Sequence, residues 1–378
     1  MEISMIIFLL MFLCLYGGIN FYAFARARSI FHFPGAVQII VIVLLVLLIL
    51  APVMVRLAEN LHLEKSAKAI AYIGYLWMAF VFLFFFLSLS LDIIRYLAMV
   101  FYPGAKSIPL KTIFFGMAVS LSFVLVVYGF WDAQRIRIKT LEVQTEHVLP
   151  NGGRIRIVQI SDVHVGLIIR GERLQTLLDA VRQANPDILV STGDLLDGEL
   201  DNVMPEAEKF VSIKPAFGKY AIVGNHEYYA GIKRSLEFTK KAGFEVLRDE
   251  VRQVAGVSIF GADDITAARL GLRKDPRAFD ELLASSHDKE FVLLLKHQPF
   301  INEKENFNLQ LSGHAHGGQI FPFRLITRLL YPKNYGYYEL GQNKLLYVSR
   351  GTGTWGPPVR IFAPPEITVI DIIGKKTN

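Results

Sequence analysis

The 378-residue chain has one cysteine, Cys14. A lone thiol excludes an intrachain disulfide, removes thiolate from competition for any metal, and leaves the redox compartment unread. Charge is also scarce, at 20% of residues against 52% hydrophobic, and the mean hydropathy of +0.37 is unlike that of an ordinary soluble domain. Asp, Glu, Lys and Arg are missing altogether from residues 3–25, 29–55, 69–91 and 112–131. Each stretch is long enough for the roughly 20 helical residues that cross a hydrocarbon core. The sequence therefore predicts four transmembrane helices, at about 3–25, 36–55, 69–91 and 112–131. The first has no basic region before its apolar run and no small-residue cleavage site, which argues against a cleaved signal peptide. Gly17, Gly18, Asn20 and Pro52 suggest close packing or kinks within the spans.

A basic nucleic-acid groove is absent too. The pI is about 9.2, but residues 1–131 hold eight Lys and Arg against four acids, and the remaining 247 hold 32 against 30. The excess sits next to the apolar stretches, which suits anionic lipid headgroups and gives no reason to expect nucleic acid. Membrane lipids are the expected partners. No internal repeat or low-complexity tract interrupts the chain.

After Trp131 the texture changes. Asp132, Arg135, Arg137, Lys139 and Glu142 arrive close together, and residues 132–150 read as a linker or first strand. From 151 to 378 the chain repeats a short apolar strand followed at once by a polar motif, at 156–160, 187–190, 220–223 and 291–295. Continuous apolar runs of this length suit strands buried on both faces. Helical spacing over 172–184 and 232–242 completes an α/β pattern, whose sites usually lie at the carboxyl ends of strands.

Those strand ends hold Asp162-Val163-His164, Gly193-Asp194 with Asp197 three residues on, Gly224-Asn225-His226-Glu227, Lys296-His297, and Gly313-His314-Ala315-His316. Five of the nine histidines stand there. Carboxylate, imidazole and one amide oxygen are the donors that hold two divalent first-row metals about 3.5–4 Å apart, with a hydroxide between them and a phosphoryl group clamped in line. Asp194, after a permissive glycine, is the natural bridge. Asp162, His164 and His316 would complete one site, and Asn225, His297 and His314 the other. His226 is left over beside the metals, suited to protonating a leaving group. Glu227 could orient His226, and Asp197 is expected to fix a ligand or loop.

The series DxH, GDxxD, GNHE, a histidine after an apolar strand, and GHxH resembles the calcineurin-like metallophosphoesterase superfamily over residues from about 150 onward, with every block complete. The resemblance implies a sandwich of two mixed β-sheets flanked by helices, a dinuclear centre of Mn, Fe, Zn or mixed ions, and hydrolysis of phosphomonoesters or phosphodiesters. Its metal ligands fall on Asp162, His164, Asp194, Asn225, His297, His314 and His316. The segments SGHAHGGQIF (312–321) and SRGTGTWGPP (349–358) further resemble the exported or membrane-anchored bacterial branch.

A membrane-anchored phosphoesterase acting on a lipid-linked phosphoester or phosphoanhydride is the leading expectation. The alternative is a membrane sensor or transporter regulated by its phosphoesterase domain, which the uncharged spans disfavour. Four spans put both ends on one side, and Arg26 and Arg28 after the first span favour an extracytoplasmic catalytic domain. Residues 320–338 (IFPFRLITRLLYPKNYGYY) read either as an amphipathic lip for the bilayer or as a strand and short helix over the core. Arg350 and Arg360 either contact substrate phosphate or form surface ion pairs.

Overall fold

The computed structural model describes residues 2–102, 104, 106, 108–149, 153–197, 203–273, 276–286 and 290–376. The chain forms two compact units, Met1–Trp131 with Gly356–Val359, and Asp132–Trp355 with Arg360–Asn378.

The first unit is helical: α1 (Glu2–Arg28), α2 (Gly35–Ile49), α3 (Ala51–Asn60), α4 (Glu64–Phe101) and α5 (Leu110–Asp132). Three of these, α1, α4 and α5, are long and apolar enough to cross a membrane; α2 and α3 together make a fourth only if their 57° bend lies within one span. The second span read at 36–55 falls on this bent pair, with the bend at the Pro52 end where the sequence suggests a kink. Pro52, in the first turn of α3, has no N–H to donate and its ring obstructs the preceding turn, so the helix restarts at Leu50. The third span is longer than its uncharged 69–91 core, because α4 continues into Asp92 and Arg95. Arg26 of α1 lies 3.0 Å from Asp92. Asn20 is buried and joins two helices: its amide donates to the Tyr16 carbonyl at 2.8 Å and its oxygen accepts from the Trp77 indole at 2.8 Å. Gly74 admits Ala51 so closely that a Cβ there would stand 2.4 Å from the alanine methyl.

Among its described residues the second unit carries twelve strands in two six-stranded sheets. The strands are β1 (Arg137–Leu149), β2 (Arg154–Ile160), β3 (Ile188–Thr192), β4 (Lys219–Ile222), β5 (Glu245–Val246), β6 (Glu250–Val254), β7 (Val257–Gly261), β8 (Phe291–Leu295), β9 (Leu309–Ser312), β10 (Gly336–Gly341), β11 (Lys344–Val348) and β12 (Glu366–Lys376). One sheet runs β1-β12-β2-β3-β4-β5 and the other β10-β11-β9-β8-β7-β6. Both are mixed, since β2, β3 and β4 pair in parallel while β12 meets β2 antiparallel, and β7, β8 and β9 pair in parallel while β6 and β10 join antiparallel. Residues 137–149 are strand, pairing in parallel with β12.

Alternation along each strand explains the unbroken apolar runs. Ile155, Ile157, Ile188 and Val190 face Leu293, Leu295, Leu309 and Leu311 between the sheets. Their neighbours Val158, Ile160 and Leu189 face outward onto three helices, α6 (Glu172–Ala184), α7 (Ala207–Val211) and, after the short α8 (Asn225–Tyr229), α9 (Ile232–Lys241), where Leu174, Leu177, Phe210 and Phe238 cover them. On the far face of the other sheet, Val292 and Leu294 pack under Phe279 and Leu283 of α11 (Pro276–Ser285), the helix after α10 (Ile265–Arg269). The last helix is α12 (Phe323–Leu330). A strand covered on both faces has no polar side to alternate with, so the architecture is the two-sheet sandwich that the resemblance implies.

Candidate metal centre

Each motif leaves the carboxyl end of a strand: Asp162 and His164 after β2, Asp194 after β3, Asn225 after β4, His297 after β8, and His314 and His316 after β9. Both sheets therefore deliver donors to one place. Gln159 on β2 spans the seam, its amide donating to the Thr192 hydroxyl at 2.9 Å and to the Ser312 carbonyl at 3.1 Å.

Five of the motif residues adopt left-handed backbone with φ from 50° to 70°: Asp162, His164, Asp194, His314 and His316. Such conformations cost non-glycine residues of order 1–3 kcal/mol each and persist where surroundings over-determine them. Here the 162–165 and 193–197 loops interlock, with the N–H groups of Asp162, His164 and Val165 donating to the carbonyls of Gly193, Asp194 and Leu195 at 2.8–3.0 Å. Glycine makes the remaining room: at Gly313 a Cβ would stand 1.9 Å from Ser161 Oγ and 2.2 Å from an Asp162 oxygen, and at Gly224 one would stand 2.2 Å from an Asp194 oxygen.

The donors converge in three groups, Asp162–His164–His316, His164–Asp194–His226 and Asp194–His297–His314, with the ligand atoms of each within 4.8 Å of one another. His316 Nε2 lies 3.4 Å from Asp162 Oδ1 and 3.1 Å from His164 Nε2. On the other side His297 Nε2 lies 3.2 Å from Asp194 Oδ2, 3.1 Å from Asn225 Oδ1 and 3.2 Å from His314 Nδ1. Asp194 is common to two groups.

Burial and the mutual charges of the donors set their protonation. Burial works against the Asp194 carboxylate, yet the adjacent His297 overrides it and holds Asp194 well below the usual range. Burial likewise opposes a charged His297, but the Asp194 charge lifts it well above the ordinary imidazole value. Burial, then the nearby His297, lowers His314 to about 4, and burial with the Arg360 guanidinium keeps His316 neutral. A buried cluster of carboxylate and imidazole donors, with imidazole nitrogens facing each other at hydrogen-bond distance, suits divalent metal, which would take the place of the proton that Asp194 holds on His297. The Nδ1–H of His297 donates to the Thr192 carbonyl at 2.8 Å, which turns Nε2 toward Asp194.

The structure separates the other motif residues by role. His226 is only partly buried, with its ring 4.7 Å from that of His164. Its Nδ1 is 3.5 Å from the Asp197 carboxylate, which also lies 3.3 Å from His164 Nδ1. Asp197, rather than Glu227, therefore stands against the His226 imidazole. The Glu227 carboxylate is buried and accepts the backbone N–H groups of Asp194, Leu195, Leu196 and Gly224 at 2.7–3.1 Å. The expectation that Glu227 orients His226 is corrected: it binds the backbone of the bridging loop, because its chain turns back under the helix that starts at Asn225.

Arg360 meets neither expectation for it. It is fully buried, its guanidinium donates to the carbonyls of His316, Arg350 and Ala363 at 2.6–3.1 Å, and Nη2 lies 3.2 Å from His316 Nδ1. Burial pushes its pKa down to about 9. Arg350 is partly buried and 3.6 Å from Glu366.

Three residues given no role by sequence line the site. Tyr331 places its hydroxyl 2.9 Å from His314 Nε2, and the exposed rings of Tyr229 and Trp355 lie 5.8 and 5.9 Å from that of His226. Only the position of Tyr229, three residues after His226 and beyond the GNHE block, hinted at this.

This fold and donor set define a metal-dependent phosphoesterase, and the family model for calcineurin-like phosphoesterase matches residues 155–318. The chain belongs to that family. It is 38% identical over 259 residues to an uncharacterized metallophosphoesterase of Aquifex aeolicus, covering 68% of this chain and 98% of that protein. A Campylobacter jejuni uncharacterized metallophosphoesterase is 33% identical over 67% of this chain and 69% of its own length. A Danio rerio transmembrane protein with metallophosphoesterase domain is 31% identical over 67% of this chain and 61% of its own length.

Proposed function

We propose that the chain is a membrane-anchored phosphoesterase with two divalent ions, hydrolysing a lipid-linked phosphomonoester, phosphodiester or phosphoanhydride. Asp162, His164, Asp194 and His316 would hold one ion, and Asp194, Asn225, His297 and His314 the other. Bound there, the ions supply Lewis acidity to the phosphoryl oxygens and an activated water for in-line attack. His226, at the more open side and held by Asp197, delivers the proton to the leaving oxygen. The carrying observation is the Asp194 carboxylate shared by two donor groups.

The helices α1, α4 and α5, with or without the bent α2–α3 pair, serve as the anchor. The bend decides topology: four spans leave both ends on one side, three leave them on opposite sides. The extracytoplasmic placement follows from four spans, with Arg26 and Arg28 in a cytoplasmic first loop, and reporter fusions at the carboxyl terminus test it. The catalytic reading is tested with full-length protein in detergent, its metal content measured on the same sample, against a panel including lipid-linked phosphates. Asp194→Asn should retain at most one ion and lose turnover; full turnover by this variant would rule out the bridge.

A further inference from the structure

The segment at 320–338 admits two readings from sequence, and burial decides between them. In α12 only Thr327 is buried, facing inward where its hydroxyl accepts from the Asn334 amide at 3.2 Å. Leu325, Ile326, Leu329 and Leu330 are exposed, Leu329 by 83%. With i to i+4 spacing these four form one stripe, and Arg328, also exposed, stands beside it. A core-covering helix would present this stripe inward; here it faces out.

The same helix is built onto the metal centre. Its first turn lies against the His316–Gly318 turn, where a Cβ on Gly318 would stand 2.3 Å from the Arg324 Cα. The residue that follows the helix is Tyr331, whose hydroxyl reaches His314. An exposed apolar stripe is costly in water, and its position beside a catalytic centre points to function.

We propose that α12 docks on the surface of an anionic bilayer, burying Leu325, Ile326, Leu329 and Leu330 at the headgroup–acyl boundary with Arg328 on the phosphates, so that a lipid phosphate is presented to the metal centre beside it. This rests on the reading that the chain is membrane-anchored, which keeps a bilayer at high effective concentration. Of the possible occupants, a bilayer fits best, because the stripe is aliphatic and flanked by the base Arg328, as the apolar faces of interfacial helices are.

The test uses the full chain with Cys14→Ser, reconstituted in phosphatidylcholine–phosphatidylglycerol vesicles. A nitrobenzoxadiazole probe is attached at Leu329→Cys, with Val124→Cys in α5 and the exposed Lys240→Cys as controls. The expected result is blue-shifted emission and loss of most fluorescence to acyl-chain doxyl lipids at Leu329 and Val124 but not at Lys240. Adding Leu325→Glu and Leu330→Glu should return the Leu329 probe to the Lys240 behaviour. A Leu329 probe as unquenched as Lys240, with Val124 quenched, overturns docking and leaves anchoring intact. A blue shift without doxyl quenching assigns the stripe to a protein partner or second copy and also overturns it. No quenching at any position removes the anchor and docking together.

Discussion

Tyr331 and His314 are joined by a 2.9 Å contact between the phenol oxygen and Nε2. Because Nδ1 of His314 faces His297 in the donor group, Nε2 carries the ring proton and donates to Tyr331. The Tyr331 hydroxyl in turn donates to Gln298 Oε1 at 3.2 Å, and the Gln298 amide donates to Asp264 at 3.0 Å. A buried carboxylate thus fixes the orientation of a metal-facing imidazole through two intermediaries. Partners of this kind typically contribute 10–100-fold in metal affinity or activity. Tyr331→Phe should weaken binding of one ion by about 10-fold, read by metal titration; unchanged affinity would show that the contact is idle.

Adjacent residues His226 and Glu227 should fail in opposite ways. His226→Ala should lower kcat by about 10²- to 10⁴-fold while metal content and thermal stability stay as in wild type. Glu227→Ala orphans four backbone N–H groups, each worth about 1–3 kcal/mol when buried and unsatisfied. Thermal melts in detergent should show a large loss of stability for Glu227→Ala alone. Equal melting temperatures would refute the clamp.

Gly313→Ala forces a methyl into the space of Ser161 Oγ and the Asp162 carboxylate. Overpacking of this kind costs about 1–3 kcal/mol, and the atom displaced is a candidate metal ligand. The variant should fold yet bind less than its full complement of metal, measured by elemental analysis. Full occupancy would mean that the loop relaxes without moving Asp162.

Acid should weaken the β12–β2 pairing of the first sheet. Burial raises Asp371, but hydrogen bonds from Arg156 and Arg154 at 2.7–3.1 Å prevail and hold it below the usual carboxylate value. The folded value lies beneath the unfolded one of about 3.9, so the stabilisation is complete above about pH 4 and is lost as pH falls through the folded value. Comparing chelator-treated wild type with Asp371→Asn removes the metal contribution from both. The stability gap between them should be present at neutral pH and close in acid; a constant gap contradicts the linkage.

Much of the second unit was legible because its signals are local. Buried strands such as 291–295 must be apolar on both faces, and donors must follow them at once, so pattern and chemistry coincide. Pro52 showed where a kink was available but not that α2 and α3 would diverge by 57°, since proline in an apolar helix is often accommodated. Glu227 misled for a similar reason. Sequence adjacency to His226 suggested contact, whereas a helical turn sends consecutive side chains to different faces.

The sequence alone determined that divalent metal could be held, because oxygen and nitrogen donors at strand ends have a chemistry that does not depend on how the strands are arranged. It also determined that long apolar helices precede them, because length and the absence of charge suffice. Tertiary structure decided which side chains serve the ligands. Asp197 instead of Glu227 beside His226, Arg360 against His316, and Tyr331 on His314 bring together residues 29, 44 and 17 positions apart. Such pairings arise when separate strand ends and loops are packed against one another, and no local pattern encodes them.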